Sequence, residues 1–254
     1  MNNGSKNLSR LQRKFLLGAV AIAPISPFLY LQGAITRRKV GVLPDAGGDK
    51  FGVAGSGEGE ATLFVLGEST VAGLGARTHD LALAGQFAER LSEHIGRPVA
   101  WKVLGRNGVT ARRTIDELVP LMPNDSFDYV LLGLGGNDVM KLSSPKKWRR
   151  DMTELIGIIR AKSPESVIFI SNCPMIKFTP AIPKPAKSIL WALSRMHDEN
   201  IKEFTSQMDR VFYYPQPVEM RLEGFFADGI HPSEQGYADW AAAMMQYFSA
   251  SYKW

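Results

Sequence analysis

Three side chains of this sequence can together perform nucleophilic catalysis, although they lie far apart along the chain. Ser69 follows residues 63–66, an apolar run of strand length. Asp228 and His231 lie three residues apart near the C-terminus, so one turn of backbone can bring the carboxylate and the imidazole into contact. A hydroxyl nucleophile, a base and a carboxylate that orients the base are the parts of serine hydrolase chemistry.

The three side chains have distinct expected roles. The hydroxyl of Ser69 is a weak nucleophile until a base accepts its proton. His231 can be that base, because imidazole exchanges protons near neutral pH. Asp228 can hold the imidazole in the correct orientation and stabilise the imidazolium that forms during the reaction.

A tetrahedral intermediate also needs hydrogen-bond donors directed at its oxyanion. The expected donors are the backbone N–H groups of Ser69 and Gly108 and the side-chain amide of Asn137. Gly108 has no side chain to obstruct a substrate, although a turn would also explain a glycine here, and both interpretations can hold together. An Asx-turn or a helix cap would explain Asn137 and Asp138, and we interpret Asp138 as structural.

Alternating strand-like and helical patterns must position these residues. The apolar runs of strand length are residues 61–66, 99–104, 129–134, 167–170 and 211–214. Their continuity predicts burial on both faces, as in a parallel sheet. Helical periodicity appears between them at residues 81–95, 111–121, 148–161 and 233–248. The alternation predicts a doubly wound α/β sandwich with right-handed crossovers.

All the candidate residues are expected at one rim of that sheet. Functional residues of doubly wound folds gather beyond the carboxyl ends of the strands. Ser69, Gly108 and Asn137 each follow one of the first three strands, and the segment with Asp228 and His231 follows the last. A helix N-cap is the alternative role for Ser69, and this convergence favours the nucleophile.

Four segments in this order resemble the SGNH hydrolases, the GDSL-type esterase and lipase superfamily. The segments are Gly67-Glu68-Ser69, Gly105-Arg106-Asn107-Gly108, Gly135-Gly136-Asn137-Asp138 and Asp228-Gly229-Ile230-His231-Pro232. The resemblance implies a flavodoxin-like three-layer α/β/α sandwich with a parallel five-stranded sheet, and hydrolysis of acyl esters without a cofactor. One departure is Glu68, where the family usually has aspartate; that carboxylate usually braces the turn.

Composition narrows the classes of function. The 254 residues, 45% of them hydrophobic, suit one α/β domain with a short appendage. The net charge of +5 comes largely from the flanks of one apolar segment, and no motif supports nucleic-acid binding.

The single cysteine, Cys173, follows a predicted strand and is expected to be a small buried residue. His79, His94 and His197 have no partners at metal-ligand spacing, so no metal is expected.

An N-terminal segment, residues 15–35, is apolar, free of charge and long enough to span a bilayer. Basic residues flank it on both sides, and we predict an uncleaved membrane anchor within residues 1–39. The slightly richer N-terminal flank favours a cytoplasmic N-terminus and an extracytoplasmic catalytic domain. A cleaved secretory signal is the main alternative, which would give a secreted protein, and a buried core helix is the weaker one.

Two further segments have a predicted role. Residues 40–60 are rich in glycine and are expected to be a linker that leaves the hydrolase domain, residues 61–254, independent of the anchor. These glycines have no preceding strand and no following helix, which argues against a nucleotide site. Residues 174–193 contain four prolines and then an apolar run. They can wall an acyl pocket, touch the membrane surface, or pack over the sheet edge.

The leading hypothesis is a membrane-anchored serine esterase that acts on short or medium acyl esters, including lipids and acetylated cell-envelope glycans. A thioesterase or a lysophospholipase is a second hypothesis, because the same triad cleaves those bonds. A catalytically silent envelope-binding protein of the same fold is the third, and the intact triad argues against it.

Overall fold

A twisted six-stranded sheet forms the centre of the computed structural model, which describes residues 3–251. Its strands are β1 (Phe51–Ala54), β2 (Ala61–Gly67), β3 (Val99–Gly105), β4 (Tyr129–Gly133), β5 (Val167–Ile170) and β6 (Val211–Tyr213). Their order across the sheet is β1-β3-β2-β4-β5-β6, and β2 to β6 are parallel. The five predicted strands and the α/β sandwich are therefore confirmed. Residues 1–2 and 252–254 of the predicted domains lie outside the described part of the chain.

Helices cover both faces of the sheet. The longer ones are α1 (Asn3–Ile22), α2 (Ser26–Val40), α3 (Leu83–Ile95), α6 (Pro145–Lys162), α7 (Ala186–Thr205) and α8 (Glu234–Ser251). The short helices are α4 (Ala111–Arg113) and α5 (Gly136–Met140). A π-helical turn at Thr114–Leu118 and a 3-10 turn at Val119–Leu121 continue α4, where the sequence pattern predicts one regular helix over residues 111–121.

The apolar sequence of β2 follows from this two-sided cover. Leu63 and Val65 point to one face and belong to the cluster that contains Phe87 of α3 and residues of α8. The alternate residues of the strand belong to the opposite cluster, with residues of α6 and α7. Because β2 lies inside the sheet and is buried on both faces, it has no polar side and reads as a continuous apolar run.

The sixth strand is an addition to the predicted five-stranded sheet. β1 pairs antiparallel with β3 at the edge of the sheet and lies within residues 40–60, which the sequence predicts as a linker. A four-residue edge strand that contains Gly52 and alternates between exposed and half-buried positions gives no apolar run. Part of the expected linker thus belongs to the sheet.

Residues 174–193 divide into a proline-containing loop and the first part of α7, which begins at Ala186. Residues 171–185 form the loop between β5 and α7, with a 3-10 turn at Ile176–Phe178.

Ser69 and Asn137 follow β2 and β4, which are neighbours at the point where the strand order reverses. This is where doubly wound sheets open a crevice for ligands.

Candidate active site

Ser69 lies two residues beyond the end of β2, in a series of tight turns, and its residue surface is 8% exposed. The backbone N–H of Leu74 donates to the Ser69 carbonyl at 3.1 Å. Helix α3 begins only at Leu83, and its N-cap residue is Ala82. Ser69 is therefore not the cap of that helix, which removes the main alternative role for this residue.

Asp228 and His231 are in direct contact, as their spacing predicts. One carboxylate oxygen of Asp228 lies 2.8 Å from Nδ1 of His231. The other accepts backbone N–H groups of Ile230 at 2.8 Å and His231 at 2.7 Å. Burial raises the pKa of the Asp228 carboxyl, but these hydrogen bonds outweigh it and hold the pKa below its ordinary value. An ionised Asp228 fixes the proton of a neutral His231 on Nδ1 and leaves Nε2 as the proton acceptor.

The loop after β2 and the loop that carries His231 are packed tightly together. Gly75 has a φ of +96°, and a Cβ at this position would lie 2.1 Å from the carbonyl oxygen of Pro232. Tyr237 of α8 donates its hydroxyl to the Leu74 carbonyl at 2.7 Å. These contacts hold the segment after Ser69 against the segment after His231, and only a residue without a side chain fits at position 75.

Glu68 connects the nucleophile turn to the loop after β4. Its carboxylate accepts the backbone N–H of Gly136 at 2.6 Å, the backbone N–H of Asn137 at 2.7 Å and the side-chain amide of Asn137 at 2.6 Å. The carboxylate thus braces the turn, and it also orients the amide of Asn137. An amide has two N–H donors, so the second N–H of Asn137 can serve an oxyanion while the first is held by Glu68.

The Glu68 carboxyl is unusual for a buried acid because no arginine or lysine pairs with it among the interactions of the described residues. Burial raises its pKa from an ordinary 4.5 to about 7, against the opposing effect of the three N–H donors. The nearby Asp138 carboxylate also raises it. The charge of the brace is therefore sensitive to pH close to neutrality.

The remaining predicted residues near the rim are mostly structural. Asp138 is fully buried and accepts the backbone N–H of Ala111 at 2.8 Å and the hydroxyl of Ser143 at 3.0 Å, so its structural interpretation is confirmed. Cys173 is a buried free thiol, as expected. Gly108 has a φ of +81°, and a Cβ there would meet no atom within 4 Å. Its carbonyl accepts hydrogen bonds from Lys141 at 2.6 Å and Arg113 at 3.2 Å.

The arginines near this rim are paired with acidic side chains. Arg106 and Arg113 both bind the carboxylate of Glu117. Arg112 binds Asp151, which is fully buried, and also Glu154. The structural interpretation of these arginines therefore agrees with the contacts better than a role in binding an anionic substrate.

A cavity of about 530 Å³ opens beside the candidate nucleophile and base. Ser69, Asn137 and His231 line it, Asp228 stands behind His231, and Gly108 lies outside its lining. Most of its wall is apolar, with contributions from the loop after β5, the loop before α8 and α8 itself. The apolar wall includes Leu134, Met140, Met175, Ile176, Ile182 and Phe226. Sequence periodicity gives little signal for this wall, because many of its residues come from irregular loops.

The sequence of residues 65–238 matches the profile of the GDSL-like Lipase/Acylhydrolase family. The chain belongs to this family. It is 21% identical over 188 residues to thioesterase 1/protease 1/lysophospholipase L1 of Escherichia coli strain K12. That alignment covers 73% of this chain and 83% of the relative.

Solved structures agree on the fold. A family 3 carbohydrate esterase of Clostridium thermocellum superposes with a TM-score of 0.56 at 17% identity, covering 74% of this chain and 94% of the esterase. A lipase/acylhydrolase of Enterococcus faecalis gives a TM-score of 0.52 at 17% identity, covering 76% and 97%. This GDSL-like protein is therefore a hydrolase with the SGNH fold, as the four sequence segments predict.

Proposed function

We propose that this GDSL-like protein hydrolyses acyl esters by a Ser69–His231–Asp228 triad. The single observation that carries the proposal is the Nδ1–carboxylate contact of 2.8 Å between His231 and Asp228, on a cavity that Ser69 also lines. That contact leaves Nε2 of His231 to accept the proton of Ser69. The Ser69 oxygen then attacks the acyl carbonyl carbon.

The oxyanion of the resulting tetrahedral intermediate would accept hydrogen bonds from the backbone N–H groups of Ser69 and Gly108 and the amide of Asn137. The imidazolium of His231 returns its proton to the leaving alcohol, and the acyl group remains on Ser69. Water, activated by the same imidazole, then releases the acid. Glu68 supports both steps indirectly, by orienting Asn137.

The apolar cavity favours esters of medium-length acyl chains over acetyl esters. Its volume of about 530 Å³ lies within the range of roughly 300–1,000 Å³ that is common for small-molecule sites. An acetyl group would leave most of the apolar wall in contact with water, whereas a longer chain would cover it. A thioester or a lysophospholipid is the second candidate, since the E. coli relative is named a thioesterase and lysophospholipase.

We also propose that the N-terminal apolar segment attaches the enzyme to a membrane. The helical stretch Gly4–Val40 is long and apolar enough to cross a membrane, and its most apolar part is not buried against the domain. A signal sequence would have the same composition. The extracytoplasmic position predicted for the domain requires that this segment cross the bilayer.

A fluorophosphonate probe tests the nucleophile. It should label the wild-type chain at Ser69 and leave Ser69→Ala unlabelled, because the probe reacts with an activated serine hydroxyl. Ser171→Ala, which also changes a buried serine of the cavity wall, is the matched control and should still be labelled. Equal labelling of wild type and Ser69→Ala would make Ser69 a structural residue.

A series of nitrophenyl esters from acetate to decanoate tests the acyl pocket. Each added methylene that enters the cavity should raise kcat/KM by up to about fourfold, which corresponds to about 0.8 kcal/mol. Ile182→Ala should reduce this increment by removing part of the wall. A kcat/KM that is highest for acetate would contradict the acyl pocket and favour acetylated glycans.

A further inference from the structure

The first turns of the N-terminal segment are docked on the catalytic domain. Leu11 is 1% exposed and α1 packs on α6 and α7. Arg10 forms an ion pair with Glu199 of α7. The side-chain oxygen of Gln12 accepts the backbone N–H of Lys146, at the start of α6, at 3.1 Å. The segment that precedes the apolar stretch is thus held by the domain.

The far end of the apolar stretch is held by the same domain. The Gln32 side chain in α2 donates to the carbonyl of Lys184 at 2.8 Å and accepts the N–H of Ala186 at 3.2 Å. These two bonds tie α2 to the residues at which α7 begins. Both ends of the apolar segment therefore contact the catalytic domain, at opposite ends of α7.

The middle of the segment cannot lie flat along α7. At about 1.5 Å per residue, the helical path from Arg10 to Gln32 is about 33 Å, and the distance along α7 from Ala186 to Glu199 is about 20 Å. A 3-10 turn at Ala23–Ile25 interrupts the helix between the two attachment points. Most side chains between residues 16 and 31 are exposed. Six large apolar ones are more than half exposed, namely Leu16, Leu17, Val20, Phe28, Tyr30 and Leu31.

The charges around the stretch are basic at both ends. Residues 3–40 contain no acidic side chain, and basic residues stand on both flanks: Lys6, Arg10, Arg13 and Lys14 before, and Arg37, Arg38 and Lys39 after. A segment that crosses a bilayer typically has its positive charge concentrated on one flank. Positive charge on both flanks fits a segment whose two ends meet the same anionic leaflet.

We propose that residues 15–35 enter one leaflet of an anionic bilayer, from the side on which the catalytic domain lies, without crossing it. This inference rests on the proposed membrane attachment and differs from the spanning anchor that the sequence predicts. A crossing would move the first turns of α1 about 30 Å away, to the side opposite the domain. The burial of Leu11 and the contacts of Arg10 and Gln12 would then be lost.

The attachment point of α2 is close in sequence to residues of the cavity wall. Lys184, one of the attachment points of Gln32, ends the loop whose Ile176 and Ile182 wall the cavity.

Cysteine accessibility in the full-length chain tests the arrangement. Ser5→Cys and Val42→Cys mark the two flanks, and Ser126→Cys marks the domain; all three positions are exposed. Cys173 is buried, so the parent chain gives the background. Sealed membrane vesicles of one orientation are treated with an impermeant maleimide, before and after addition of detergent.

The three cysteines should be labelled from the same side of the vesicles, and equally. Labelling of Ser5→Cys from the side opposite to Val42→Cys and Ser126→Cys would show a crossing and overturn the proposal. Recovery of a soluble mature chain that begins after Ala34 would overturn it as well.

Vesicle binding separates this inference from the esterase function. The full chain should sediment with vesicles that contain phosphatidylserine, and Val20→Asp should reduce the bound fraction, whereas Ser9→Asp, exposed near the docked end, should reduce it less. Hydrolysis of a soluble nitrophenyl ester is measured in the same samples. Full hydrolysis without any vesicle binding would refute the membrane arrangement alone, and binding without hydrolysis would refute the esterase alone.

Discussion

The active-site loops and the N-terminal helices are held in place by different kinds of contact. Around the active site, two largely buried carboxylates, Glu68 and Asp228, each accept three N–H donors. Hydrogen bonds to a charged group contribute about 1.5–3 kcal/mol each. The N-terminal helices are held by the Arg10–Glu199 pair, whose side chains are more than 40% exposed, and by a few contacts such as those of Gln32.

The difference indicates which region can change conformation. An exposed ion pair contributes about 0.2–1 kcal/mol, so α1 and α2 are attached to the domain more weakly than the active-site loops are attached to each other. The buried carboxylates of the active site would lose several bonds at once if either loop moved. We therefore expect substitutions in the loops to affect the reaction strongly, and changes in the helices to affect only the location of the enzyme.

The largest effect is expected for the triad. Ser69→Ala and His231→Ala should each lower kcat by more than about 10³-fold, and the double variant should be no worse than either, since triad members act as a unit. The fold should persist, because Ser69→Ala removes one hydroxyl. Steady-state hydrolysis of a nitrophenyl ester measures the loss, with Asn172→Ala as a cavity-wall control. Substantial activity in purified Ser69→Ala would identify another nucleophile.

A smaller loss is expected for the oxyanion donor. Asn137→Ala should lower kcat by about 10²–10³-fold, with a smaller change in KM, because its amide would act on the intermediate more than on the bound substrate. Measuring kcat and KM separately distinguishes the two roles. A raised KM with an unchanged kcat would make Asn137 a residue that binds substrate.

Much of the fold follows from patterns in the sequence. β2, β4 and β5 are nearly continuous apolar runs because helices cover both of their faces. β3 is interrupted by the exposed Lys102. The contact of Asp228 with His231 follows from their spacing alone. Asp138 and Cys173 also have the structural roles that their positions predict.

Other features depend on contacts between distant residues and leave no local pattern. β1 is short, and it exists because it pairs with β3. The bond from Glu68 to Asn137 joins loops that are 69 positions apart, so the sequence predicts a brace but not its partner. Much of the cavity wall comes from irregular loops. The docking of α1 depends on Leu11, which appears in the sequence as one apolar residue among polar ones.

An intermediate effect is expected for the brace, and it should depend on pH. Because the pKa of Glu68 is raised from 4.5 to about 7 in the folded protein, the unfolded chain releases this proton first as pH rises. This group therefore makes the fold less stable as pH rises from about 4.5 to 7. Glu68→Gln removes that part of the pH dependence. The substitution also replaces one accepting oxygen with an NH2 group, which would face an N–H donor without forming a hydrogen bond. We expect this to lower the free energy of unfolding by roughly 1–3 kcal/mol.

Urea unfolding at pH 5 and pH 7.5 measures both consequences for Glu68→Gln. The parent chain and the exposed control Glu89→Gln should lose stability in parallel between these pH values, and Glu68→Gln should lose less. If Glu68→Gln and the parent lose stability equally, Glu68 does not change its protonation in this range.

The smallest effect is expected for removal of the N-terminal helices. A shortened chain that begins at Val40 should be soluble and hydrolyse a small soluble ester with a kcat/KM within roughly twofold of the full chain, because surface changes far from a site alter free energies by about 0.5 kcal/mol or less.

Leu11→Ala in the full chain tests whether α1 unfolds together with the catalytic domain. In a core, this change costs about 2–5 kcal/mol, but a helix that unfolds before the domain during denaturation transmits little of that cost to the main unfolding transition. An unchanged main unfolding transition would support a separable helix, whereas a loss of several kcal/mol would make α1 part of the core.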